Sequence, residues 1–176
     1  MKVESDLSAE LEISDSVSVN GVCQTVIEAG EGSFVVEVMP ETLKLTTLGN
    51  LEVGEEVNLE PSLKLGDKLG GHFVFGHVDG VGEITASKEE KNARLFTIKY
   101  FANLSRLIAY KGSISVDGIS LTVIEPKEDA FTVSIVTHTF ENTNLKHAKI
   151  GTRVNLEVDM LARYVDRISN SPITKE

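Results

Sequence analysis

A chain of 176 residues has room for two small domains, and its formal net charge of -10 argues against nucleic acid, which needs clustered Lys and Arg to neutralise phosphates. Its one cysteine, Cys23, excludes an intrachain disulfide and fits a reducing compartment. Without an apolar run near the ~18 residues that span a bilayer, or a basic stretch leading into an apolar core, the chain reads as soluble and cytoplasmic, with no membrane partner.

In chain order, residues 6–11 give a weak helical pattern. Strands are predicted at Ser16–Val19, 25–27 and 34–38, where Val, Ile, Thr and Phe alternate or run together. Asn20-Gly21 between the first two favours the positive backbone angles of a tight hairpin. Further on, Phe73-Val74-Phe75, Gly80 to Ile84 and Leu95-Phe96-Thr97 offer two or three more strands. Residues 102–110 place Leu104, Leu107 and Ile108 on one helical face, Asp117-Gly118 repeats the hairpin signal, and residues 160–168 carry an apolar stripe of Met160, Leu161, Tyr164, Val165 and Ile168. That last helix must bury its stripe somewhere, and a subunit interface serves as well as the chain's own barrel. The tail beyond it is polar and expected to fray.

These elements occur twice. At an offset of 97, residues 14–62 align with 111–159 without a gap and 19 of 49 positions are identical, among them Gly21/Gly118, Phe34/Phe131, Gly54/Gly151, Asn58/Asn155 and Glu60/Glu157. Chance would give about three, so a β unit has been duplicated. Short antiparallel strands with regular turns predict small closed barrels, giving an all-β chain: a first barrel over 1–68, a second over 69–159, and a C-terminal helix and tail over 160–176. Residues 70–97 have no counterpart in the first repeat, so that barrel is expected to be incomplete, with open ladder edges. A clipped start or a naturally shortened variant would each explain this.

Where twin units differ, the difference needs its own reason. Cys23 stands opposite Ser120, Asn20 opposite Asp117 and Glu41 opposite His138; a thiol, a carboxylate and an imidazole are nucleophile and acid/base groups. The plainer alternative makes Cys23 a small buried hydrophobe and Asp117 turn chemistry. A second cluster, Gly70 to Gly80, holds His72 and His77 between glycines that let a ligand approach the backbone. His72, His77 and Asp79 make a poor metal set, because five residues along a strand put the two rings on opposite faces. No metal site and no nucleotide-binding glycine motif is expected.

Four stretches, Ser16 to Val26, Met39 to Leu43, Gly70 to Gly80 and Lys111 to Val123, resemble the signatures of the riboflavin synthase family, α-chain type. The resemblance runs from about Ile13 to Arg167. It implies tandem six-stranded antiparallel barrels joined as homotrimers through a C-terminal helix. The implied reaction is dismutation of two molecules of 6,7-dimethyl-8-ribityllumazine, without metal or organic cofactor, to riboflavin and a pyrimidinedione. The site would lie between the first barrel of one subunit and the second of its neighbour. Carried over by position, substrate contacts fall on Cys23, Gln24 and Thr25, on Glu37, Val38, Met39, Pro40, Glu41 and Thr42, and on Gly76, His77 and Val78. In the second repeat they fall on Lys111, on Ser120, Leu121 and Thr122, and on Val136, Thr137, His138, Thr139, Phe140 and Glu141. His77 is the proton-transfer candidate, with Ser16, Cys23, Asp117 and Ser120 polarising or positioning the two rings. The chain departs from the family in lacking a Met-Phe-Thr-Gly start, in Gln24 for Leu, in Phe75 for Ser and in Thr137 for Pro. Phe75 either narrows the pocket or packs into a neighbouring core. A non-catalytic lumazine or flavin carrier of the same fold is the alternative function.

Overall fold

A computed structural model describes residues 1–100 and 104–170. The chain runs β1 (Lys2–Glu4), β2 (Ser16–Val19), β3 (Val22–Gly30), β4 (Ser33–Glu37), α1 (Pro40–Leu45), β5 (Leu59–Pro61), β6 (Gly80–Glu90), β7 (Ala93–Tyr100), β8 (Ser113–Val116), β9 (Ile119–Pro126), β10 (Ala130–Val136), α2 (Thr137–Glu141), β11 (Arg153–Val158) and α3 (Met160–Asn170). Single 3-10 turns occupy Asp6–Glu10, Thr47–Asn50, Ser105–Leu107 and Asn144–His147. The start of the helix expected over 102–110 and the expected tail from 171 on lie outside the described residues.

Two antiparallel sheets result. The first has five strands in the order β1-β4-β3-β2-β5, while the second closes into a six-stranded barrel, β10-β7-β6-β11-β8-β9. The duplication is legible in the topology, since β2-β3-β4 and β5 correspond to β8-β9-β10 and β11. It extends to backbone irregularities: the ladders of β3 with β4 and of β9 with β10 each slip once, at the equivalent Ile27 and Ile124. Left-handed φ angles fall on matched pairs as well, Ser14 with Lys111 and Asn20 with Asp117. In the barrel, β6 joins β7 to β11. No described strand joins β1 to β5 in the first sheet, so it stays open, as the unmatched segment predicts.

Alternation dictates what each strand buries. Val17 and Val19 point inward from β2, and Val22, Gln24 and Val26 from β3, which turns Cys23 and Thr25 outward. The barrel has one large core built on Ile84, Phe96, Ile98, Phe131, Val133 and Leu156. In the first sheet the core is split into two smaller clusters, one around Phe34 and Val36 and one around Val19, Val22 and Leu48.

Three sequence expectations change. Phe73-Val74-Phe75 is not a strand: no ladder pairs with it, and Phe75 N donates to a side chain, Glu157, instead. The weak helix at 6–11 is one 3-10 turn, capped by the Ser5 hydroxyl accepting from Leu7 N. Residues 104–110 likewise form only the turn Ser105–Leu107, although Leu104 and Ile108 are buried as the pattern requires. The short helices α1 and α2, which no periodic pattern announces, occupy matched places after β4 and β10.

Candidate functional site

The two repeats meet at their first hairpins. Gly21, with φ 73°, is packed so closely on the backbone of Gly118 that a side chain there would collide with it; both turns need glycine for the angle and for the approach. Around this contact the hydrogen bonds are reciprocal. Asn58 Nδ2 donates to Asp117 O at 2.9 Å, and the matched Asn155 Nδ2 donates to Asn20 O at 2.8 Å. Asn58 N donates to Asn20 Oδ1 and Asn155 N to Asp117 Oδ1, each at 2.7 Å. Asn58 Oδ1 accepts from Asn144 N, and Asn155 Oδ1 from Thr47 N, each at 2.8 Å. Every partner here has its counterpart 97 residues away.

Two substitutions break the symmetry. Where the first repeat has Thr47, Asn144 sends Nδ2 to Asp117 Oδ2 at 2.9 Å and to Asn20 Oδ1 at 3.2 Å. Where the first has Asn20, the second has Asp117, fully buried. Burial pushes its carboxyl up to about 7, against the bonds from Asn155 N and Asn144 that favour the ionised form. Asp117 is thus both turn residue and titratable centre of the seam.

A cleft of about 950 Å³ lies along this seam, at the upper end of the ~300–1,000 Å³ common for ligand pockets. From the first repeat it takes Ser16, Ser18 and Cys23, and from the second Asp117, Gly118 and Ser120. The connection between β5 and β6 straps across it and touches both matched positions. Gly71 packs against the Ser120 hydroxyl, while Gly76, with φ 75°, packs against Cys23 and accepts from Cys23 N at 3.0 Å. His72 Nδ1 lies 2.7 Å from Ser120 Oγ, and burial holds its imidazole below the ordinary histidine value. Phe75 N and His77 N donate to the two carboxylate oxygens of Glu157 at 2.8 and 3.0 Å. The His77 ring is exposed and stacks on Phe75, with centroids 6.0 Å apart and planes 26° apart.

The expected site residues therefore separate into groups. Ser16, Cys23, Gly76, Asp117 and Ser120 line one cleft, and His77 adjoins it through Gly76. Cys23 is exposed, not a buried hydrophobe. Phe75 is 47% exposed on the cleft wall, which decides against packing in a core. Gln24 is buried and gives its amide to Cys23 O at 2.7 Å; Leu121 is buried in the barrel; Thr25 and Thr122 are exposed on the outer faces of β3 and β9. Residues 37–42 and 136–141 form two matched patches leading into α1 and α2, outside the cleft lining, as are Lys111 and Val78. Asp79 accepts from Val158 N and Arg163, each at 2.8 Å, and burial raises its carboxyl despite both partners. Glu157, Asn144 and Arg163 were not anticipated from sequence. The duplication does flag Glu157, as an identity with Glu60, but not its partners.

A β unit present twice, with a ligand-sized cleft at the join, is the arrangement of tandem small-molecule-binding domains. The model of the lumazine-binding domain matches residues 1–62 and again 75–159. Riboflavin synthase of Mycobacterium bovis is 48% identical over 161 residues, covering 89% of this chain and 80% of the relative; that of Bacillus subtilis is 42% identical over 163 residues, covering 93% and 76%. The chain belongs to the riboflavin synthase family. Its fold matches the crystal structure of LumP complexed with riboflavin with a TM-score of 0.82, at 26% identity, covering 89% of this chain and 86% of the other. No helix among the described residues is long and apolar enough to cross a membrane.

Proposed function

We propose that the protein is a riboflavin synthase that dismutates two molecules of 6,7-dimethyl-8-ribityllumazine into riboflavin and 5-amino-6-ribitylamino-pyrimidinedione. The observation that carries this reading is the meeting of the matched Cys23 and Ser120 neighbourhoods along one cleft, each touched by the same strap. Four-carbon transfer between identical molecules needs two flat heterocycles held together, and fixing two reactants removes roughly 7 to 11 kcal/mol of barrier. It also needs a methyl proton removed from one ring and a nucleophile added to the other.

In this reading His77, exposed beside the cleft, moves the proton, and Cys23, Ser16, Asp117 and Ser120 polarise or position the rings. The patches Glu37 to Thr42 and Val136 to Glu141, which lie outside the cleft of the single chain, complete the grip on the substrate where a neighbouring subunit meets it. The exposed face of α3, with Leu161, Tyr164, Val165 and Ile168 all more than 60% accessible, joins three chains. A cytoplasmic setting suits the single free thiol.

The likeness to LumP supports one other reading, a carrier that holds the ring system without turning it over. Purified chain is incubated with 6,7-dimethyl-8-ribityllumazine and followed for riboflavin absorbance. Product formation is expected, with His77→Ala lowering turnover about 100-fold or more, in the range of lost general acid–base catalysis, and changing binding far less. Binding without product supports the carrier. Light scattering checks the trimer.

A further inference from the structure

We propose that Glu157 is a positioning residue for this reaction: its buried carboxylate clamps the backbone from Phe75 to His77 and so fixes where His77 leaves the strap, next to the Gly76 that packs on Cys23. The inference rests on the riboflavin synthase reading for its catalytic meaning, but not for its geometry. Glu157 lies on β11 and is 3% exposed, with each carboxylate oxygen accepting one strap N–H. A carboxylate is a costly way to fill a strand position in an apolar barrel, unless its oxygens are occupied by donors that need them. Here those donors belong to a segment with neither strand nor helix to satisfy it.

The grip has three sides. From β11, Glu157 takes the Phe75 and His77 N–H groups. Across the strap, α3 sends Arg163 NH2 to His77 O at 2.9 Å, and the same guanidinium is anchored by Asp79 Oδ2 at 2.8 Å. Between these contacts, Gly76 O accepts from Cys23 N of β3, and Gly76 has no room for a side chain on the Cys23 side. Three consecutive strap residues are thus held by β11, α3 and β3, whereas residues 61–71 before them are exposed. The matched carboxylate, Glu60, is exposed. Both repeats keep the glutamate, and in the second it is buried under the strap.

Cys23 is the only cysteine in the chain, so thiol alkylation of the whole protein reads this one contact. Glu157→Gln keeps the shape but presents one acceptor and one amide donor to two N–H groups. Expected are a kcat about tenfold lower with a much smaller change in KM, and Cys23 alkylation by iodoacetamide about tenfold faster, the equivalent of losing one charge-assisted hydrogen bond. Arg163→Gln, which frees His77 O from the other side, is expected to move both readouts in the same direction; it decides the matter if Glu157→Gln does not fold. Alkylation at the wild-type rate, or a wild-type kcat with faster alkylation, overturns the proposal. Should the wild-type chain form no riboflavin, the enzyme reading fails; alkylation still reports whether the clamp exists, and the catalytic role falls with the enzyme.

Discussion

The two halves of this chain share a sequence pattern and differ in closure. In the second, β6 pairs on both sides and one core spans the whole barrel; in the first, β1 and β5 each have one neighbour and the apolar interior is divided. Yet both carry the same turns, the same slip in the ladder and the same asparagine at the join. The difference teaches that the local geometry of the hairpins near the cleft depends on β2-β3 and β8-β9 themselves and on the seam, not on whether the sheet closes. Closure governs the size and cohesion of the core.

The largest test of this comparison is a matched pair. Phe34 and Phe131 are equivalent and fully buried. Phe131→Ala should lose ~3–5 kcal/mol in urea unfolding, the usual loss for a phenylalanine in a packed core, and Phe34→Ala should lose less because an open sheet can collapse into the space. Equal losses would mean that the first sheet is as tightly enclosed as the barrel. A smaller effect separates Asn20 from Asp117. The folded chain keeps the Asp117 proton up to about pH 7, whereas the unfolded chain releases it near 3.8. This group's contribution to stability is therefore full below pH 3.8 and is lost as pH rises to about 7. Asp117→Asn, which copies the first repeat, should flatten the fall in Tm between about pH 5 and pH 7; an unchanged slope would assign that fall to other groups. Smallest of all, amide exchange should be faster at the outer edges of β1 and β5 than in β7 and β11, and equal protection would show that both edges are covered.

Much of the fold was legible because period-two burial is written directly in residues such as Val17, Val19, Val22 and Val26, and the turns in Asn20-Gly21 and Asp117-Gly118. The error at Phe73-Val74-Phe75 has a physical reason: an apolar run forms a strand only where a neighbouring strand pairs with it, and here no strand does, while the Glu157 carboxylate takes Phe75 N and, just beyond the run, His77 N. Helices α1 and α2 escaped because five or six residues are too few to display a helical period. The site was half visible. Matching the repeats singled out Cys23, Ser120 and Asp117, but the partners of Asn58, Asn155 and Glu157 lie 38 to 135 residues away. No local pattern encodes contacts at that separation.

The bare contact between Gly21 and Gly118 has a mechanical consequence. With no side chains to act as a cushion, swivelling one half against the other would drive main chain into main chain. The separation of the two hairpins is therefore set at this point by main chain rather than by any replaceable side chain.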